Sequence, residues 1–146
     1  MEKTFSEITE EFLDSKKAFQ PFRPFPQAWD RAAYEKLPTK LRRIVIDMGE
    51  AFLGYRYPWL SAAAYMLFER EGDRGKYEGL YFDRRLALNA LVAAECVEHK
   101  GRFLDDIVNG IIAICEESAW QVPAHNNRRG EQKECLPDTA RPILDL

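Results

Sequence analysis

Apolar residues recur along this chain at intervals of three and four. Leu41, Ile44, Val45, Met48 and Phe52 form one stripe, and Phe103, Leu104, Ile107, Val108, Ile111, Ile112 and Cys115 form another. That period places them on one face of a helix turning once every ~3.6 residues. Phe5, Ile8 and Phe12 repeat the pattern near the N-terminus, where Thr4 and Glu7 stand at the spacing of a capping box. Pro58 suits the first turn of a helix through WLSAAAYMLFER, which is apolar or small on almost every face and should be buried on most sides. RRLALNALVAAECVEH gives a further helix, with Leu88, Leu91, Val92, Glu95 and Val97 interleaved with small alanines that let neighbouring helices approach.

Breaks between these stretches divide the chain. Pro21, Pro24 and Pro26 forbid a continuous helix after about residue 18. The aromatic residues Phe19, Phe22, Phe25 and Trp29 alternate with them, which predicts a connector that packs its rings on the domain, followed by a short helix over 27–36. Display as a polyproline ligand is the sharper alternative, and the rings argue against it. Gly54 ends one helix, EGDRGKYEG reads as a loop, and Lys100-Gly101 closes the helix before it. Gly110, inside the last long helix, costs about 1 kcal/mol relative to alanine and predicts a close helix contact. The expected organisation is one all-α domain over 1–146. It has an N-terminal helix to residue 18, a connector over 19–38, antiparallel helical hairpins over 39–120, and a loop with the start of a further helix, Pro142 onward, over 121–146. No strand pattern and no helical-repeat period is present.

Bulk properties narrow the function. A net charge of −3, with acidic and basic residues mixed, leaves no basic footprint for nucleic acid and no polybasic membrane anchor. No apolar run approaches the roughly 18 residues of a membrane helix, and MEKTFSEITEEFLDSKK lacks the apolar core of a secretory signal; a cytoplasmic location is the expectation. Cys96, Cys115 and Cys135 have no CxxC spacing, and Cys96 and Cys115 read as small core residues. His99 and His125 are the two histidines, too few for a multi-histidine metal site, so neither metal nor cofactor is expected.

Polar chemistry concentrates in CEESAWQVPAHN, residues 115–126. Asn126 or Asn127 could hydrogen-bond a carboxylate, His125 could carry a proton, Trp120 could stack on a sugar ring, and Glu117 could orient His125 or bind a hydroxyl. The structural reading of each is equally definite. A tryptophan beside a helix end anchors a core with its N–H bonded, and a histidine in a turn bonds backbone. Glu116 and Glu117 sit at the negative end of a helix, where a carboxylate is mildly unfavourable without a partner.

Tyr81-Phe-Asp-Arg-Arg85, Glu98-His-Lys-Gly-Arg-Phe-Leu104, Asn109-Gly-Ile111, the run from Ile114 to Asn126, Leu136-Pro-Asp138 and Pro142-Ile-Leu-Asp-Leu146, with Arg23-Pro-Phe-Pro26 upstream, resemble the N-terminal part of heparinase II/III-like proteins. The resemblance implies an incomplete (α/α) toroid of helical hairpins and a polysaccharide lyase that cuts uronate-containing chains by β-elimination. It implies an acidic polysaccharide as partner, His125 and Asn126 as candidate catalytic residues, and Glu117, Trp120 and Asn127 as substrate contacts. It also implies that the main catalytic Asn, Tyr and His come from regions beyond Leu146, so that this chain alone is inactive. A helical domain that binds carbohydrate without cleaving it, or that forms homo-oligomers through exposed apolar helix faces, is the alternative. A glycoside hydrolase is disfavoured, because the adjacent Glu116 and Glu117 point to different helix faces.

Overall fold

The computed structural model describes residues 10–11, 24–126, 136–137 and 145. Among them there are five α-helices and no strand: α1 Arg31–Glu35, α2 Thr39–Glu50, α3 Ala62–Glu71, α4 Gly75–Glu98 and α5 Leu104–Cys115, followed by a 3-10 turn, Pro123–His125. Residues 10 and 11 are helical, in agreement with the N-terminal periodicity; the capping box and the helix expected from Pro142 lie outside the described residues.

Helix α4 is the hub. α2 and α5 pack along it, α3 meets its first half, and α1 meets its end. Two glycines set the spacing. A Cβ at Gly49 of α2 would overlap Ala94 Cβ of α4 and stand 3.2 Å from Ala90 O. A Cβ at Gly110 of α5 would overlap the Tyr57 hydroxyl and stand 3.1 Å from Leu88 Cδ1. Around this seam Leu91, Ala94 and Phe103 form a fully buried cluster, with Phe52 and Ile107 against it. Burial of a Leu or Phe side chain contributes about 1.5–3 kcal/mol. At the other end of α4, Tyr65, Tyr77, Tyr81 and Val122 form a second cluster. Its rings meet edge-on between Tyr65 and Tyr77 (5.0 Å) and stacked between Tyr77 and Tyr81 (6.0 Å), the offset and edge geometries that aromatic quadrupoles prefer.

The turn between α4 and α5 is built by Glu95. Its carboxylate, buried in α4, accepts from Gly101 N at 2.7 Å and Phe103 N at 3.3 Å. An acidic group there satisfies two amides of the turn just before α5, which explains a charged residue in an otherwise apolar stripe. His99 and Gly101 take positive φ, 58° and 78°, and reverse the chain.

Several expectations are corrected. EGDRGKYEG is not a loop: α4 begins at Gly75 and the turn is confined to 72–74. Gly72 has φ of 73° and caps α3, whereas a Cβ at Gly79 would meet nothing within 4 Å. Pro58 does not open α3; Ser61 does, its Oγ accepting from Ala64 N at 3.1 Å. α3 is not buried on most sides either, because Tyr65 alone of its residues is fully buried. The connector does not fold its rings inward, since Phe25 and Trp29 are 79% and 72% exposed; Phe19 and Phe22 lie outside the described residues. Polar groups hold it instead. Arg31 donates to Cys96 O at 2.6 Å and Val97 O at 2.9 Å, the open carbonyls at the end of α4, and Tyr34 donates to Pro26 O at 2.7 Å. Cys115 is exposed rather than buried, and Cys96 is half-buried.

Candidate functional site

Where α5 ends, the chain crosses in front of α3 and the first half of α4. A cleft of about 690 Å³ opens there between the extended segment around 57–62, α3, α4 and residues 116–119. Its walls are rings, from Tyr57, Trp59, Tyr65 and Tyr77; its polar groups include Arg84, Glu116, Glu117 and Ser118, and Leu136 and Pro137 close one side. Trp59 is 84% exposed and stands at the mouth.

The floor is an ion cluster. Glu117 has a side chain 2% exposed and receives Arg85 through Nη2 at 2.8 Å and Nη1 at 3.2 Å. Arg84 Nε lies 3.4 Å from Glu117 Oε1, near enough for ion pairing but not aligned as a hydrogen bond. Two buried guanidiniums face one carboxylate, and carbonyls take up other donors: Arg84 donates to Pro58 O at 3.3 Å and to Ala113 O, and Arg85 donates to Tyr81 O at 3.1 Å. Arg85 also lies over the Tyr81 ring, 3.4 Å from its centroid, a cation–π contact strengthened by desolvation. Glu117 therefore has the specific partner that its place at a helix end demands. The partner is the arginine pair rather than His125.

The remaining polar residues of the turn are held by Asp145 and Gln121. His125 Nδ1 lies 2.7 Å from Asp145 Oδ1, with the His125 side chain 51% exposed. Gln121, 1% exposed, donates to Asn126 Oδ1 at 2.7 Å and to Tyr65 Oη at 3.2 Å. Asn126 donates to Leu136 O at 2.7 Å. Trp120 donates its indole N–H to Ile114 O at 3.0 Å, as a tryptophan anchoring a helix end does. Of the sequence-predicted residues, Glu117 lines the cleft. Asn126 braces its rim through Gln121 and Leu136, Trp120 and His125 stand outside the lining, and Asn127 lies outside the described residues.

Sequence reasoning missed Trp59, Arg84 and Asp145. The signal for Trp59 was Ser61, a helix cap that leaves the tryptophan two positions before it outside the helix. For Arg84 and Arg85 the signal was a basic pair inside an apolar helix, opposite a glutamate at a helix exit.

Burial raises the phenol pKa of all three cleft tyrosines. Tyr77 is pushed up to about 12, with Glu117 adding to the rise. Tyr65 and Tyr57 rise by the same cause, opposed in Tyr65 by its bond to Gln121 and reinforced in Tyr57 by Asp106. At neutral pH these hydroxyls stay protonated and are not bases. Among the described residues no group of three or more His, Cys, Asp and Glu side chains is arranged to hold a metal ion, and no helix is long and apolar enough to cross a membrane. No protein-family model matches the chain, and no curated protein matches it.

Proposed function

We propose that this chain forms one helical wall of the substrate cleft of a heparinase II/III-like polysaccharide lyase, within an (α/α) toroid, and that its own task is to bind a uronate-containing oligosaccharide. The observation that carries this reading is the cleft lined by Tyr57, Trp59, Tyr65 and Tyr77 with Arg84, Glu116, Glu117 and Ser118 among them. Rings offer flat faces to the C–H side of a sugar, and a few placed polar groups fix its orientation. An exposed indole at the mouth is the element expected to stack on such a ring.

β-Elimination on a uronate removes the proton beside the carboxylate and expels the β glycosidic oxygen. The developing enolate needs donors aimed at the carboxylate, and the proton needs a base of suitable pKa. Within this chain Tyr65 and Tyr77 line the cleft as protonated donors, whereas His125 stands outside the lining and could take a proton only from a substrate that extends past the rim. Asn126, engaged at both ends of its amide, holds the rim.

Titration of the chain with uronate oligosaccharides, followed by tryptophan fluorescence and amide chemical shifts, tests the binding. Uronates are expected to perturb Trp59 and residues 116–119, and Trp59→Ala is expected to remove the response while leaving the fold intact. Absence of any perturbation by uronates of differing linkage and sulfation overturns the proposal.

A second reading, association of two copies, is favoured by one observation. Leu104, Val108, Ile111 and Ile112 of α5 are each about half exposed and share one stripe, and Leu41, Ile44 and Met48 of α2 are similarly open. Sedimentation equilibrium tests it, and a monomer at all concentrations counts against it.

A further inference from the structure

Asp145 reaches back and makes four hydrogen bonds, three to the turn after α5 and one to Tyr81 of α4. Its backbone N donates to Trp120 O at 2.7 Å, and its carbonyl accepts from Tyr81 Oη at 2.5 Å. Carboxylate Oδ2 accepts from Val122 N at 2.8 Å, and Oδ1 meets His125 Nδ1 at 2.7 Å. The first two bonds fix where the residue sits. The third fixes which way its carboxylate faces. The fourth, within that frame, decides which nitrogen of His125 carries the proton.

We propose that Asp145 is a positioning residue that holds neutral His125 in the Nδ1–H tautomer and so presents Nε2 as an unprotonated, accessible base. An ionised carboxylate only accepts hydrogen bonds, so the nitrogen facing it must donate. The other nitrogen then has a free lone pair, and the second partner of an imidazole is what selects its tautomer. Exposure of the side chain, 51%, leaves room for a proton donor to reach Nε2. Asp145 also serves as more than a tether. A tether needs only the two backbone bonds and the ring cluster, whereas the carboxylate is held at both oxygens, one by a fixed backbone amide and one by the histidine.

Val122 makes the test discriminating. Its amide requires an acceptor. In Asp145→Asn the single amide oxygen is drawn to Val122 N, which turns the NH2 group toward His125 Nδ1. A donor at that point selects the opposite tautomer, with the proton on Nε2. The proposal concerns this pair of residues; what His125 takes a proton from rests on the lyase reading, and the two fail separately, because the tautomer is read without substrate.

Long-range proton–nitrogen NMR of the full chain, at a pH where both histidines are neutral, gives the tautomer directly. Wild type is expected to show protonated Nδ1 and bare Nε2 at His125. Asp145→Asn is expected to reverse that pattern, and Asp145→Glu to restore it in part. His99, exposed at the end of α4, is the internal reference and should not change. Carbethoxylation by diethyl pyrocarbonate, whose carbonyl is attacked by an unprotonated ring nitrogen with loss of CO2 and ethanol, is expected to be several-fold faster at His125 than at His99 in wild type and to lose that excess in Asp145→Asn. A wild-type proton on Nε2, or an unchanged tautomer and rate in a folded Asp145→Asn variant, overturns the proposal. A tautomer as expected with no uronate binding leaves Asp145 in its role and overturns only the lyase reading.

Discussion

Arg85 grips Glu117 with both of its terminal nitrogens, at 2.8 and 3.2 Å, and the glutamate side chain is 2% exposed. Removing one partner of such a pair leaves a desolvated charge without its counter-ion. Glu117→Gln keeps the shape, strands the Arg84 and Arg85 guanidiniums, and is expected to destabilise the chain by about 3–5 kcal/mol in urea unfolding. Glu116→Gln, one residue earlier but exposed, should change stability by less than about 0.5 kcal/mol. Equal effects at the two positions would show that the ion cluster does not hold the floor of the cleft.

Ser61 satisfies an orphan amide at the start of α3. Ser61→Ala is expected to cost about 1 kcal/mol of stability, and amide exchange should accelerate first at Ala64. Ser61→Asp, which keeps an acceptor at the cap, should recover most of the loss.

Gly110 and the Tyr57 ring occupy one another's margin, so Gly110→Ala sets two effects against each other. Helix propensity favours alanine by about 1 kcal/mol. Overpacking against the ring, with the new Cβ 2.7 Å from Tyr57 Cζ, costs about 1–3 kcal/mol, so a net loss is expected in thermal unfolding. Tyr57→Phe should behave differently. Its hydroxyl is buried without a hydrogen-bond partner among the described residues, and deleting it removes a desolvation cost of about 1–3 kcal/mol. The phenylalanine variant is expected to be as stable as wild type or more so.

All six tyrosines, Tyr34, Tyr55, Tyr57, Tyr65, Tyr77 and Tyr81, have a phenol pKa raised above 10, with burial as the largest cause in each. A raised pKa means that the folded chain keeps phenolic protons which the unfolded chain releases. Stability is therefore unaffected by these groups below about pH 10 and falls as pH rises from there. For Tyr77 the fall runs to about pH 12. Ultraviolet phenolate titration is expected to show ionisation delayed beyond that of the urea-unfolded chain, with the two curves merging once alkali unfolds the protein. Coincident curves throughout would contradict the burial of the tyrosine cluster.

The sequence periodicity located α2 and α5 to within a few residues, because each carries an uninterrupted apolar stripe and a clear stop. It failed at the start of α4 for a physical reason. Glycines 72, 75 and 79 look alike in a sequence, but Gly72 alone among them occupies a left-handed turn, and the other two are ordinary helical residues. It failed on the connector because aromatic residues beside prolines suggest rings turned inward, whereas Arg31 fastens the segment to the helix end through carbonyls, which leave no trace in a residue pattern. In the site, the polar turn was legible as a concentration of chemistry, and Glu117 was legible as a residue in want of a partner. The partners themselves were not. Arg84 and Arg85 stand over thirty positions away and meet Glu117 only because α4 and α5 lie side by side, and Asp145 meets His125 only through the return of the chain end.

At Gly49 the α2 backbone faces the Ala94 methyl and the Ala90 carbonyl of α4, with no long side chain of its own between the two helices. Such a seam has no room for a larger residue, which fixes the spacing of α2 and α4 at that point. Tyr57, wedged against Gly110, ties the incoming segment to α5. The stretch from Pro58 to the cap at Ser61 carries Trp59 and is held at both ends, by Arg84 on Pro58 O and by the Ser61 cap. The indole between those two anchors, 84% exposed, keeps a rotamer freedom that the packed rings of the cleft have lost.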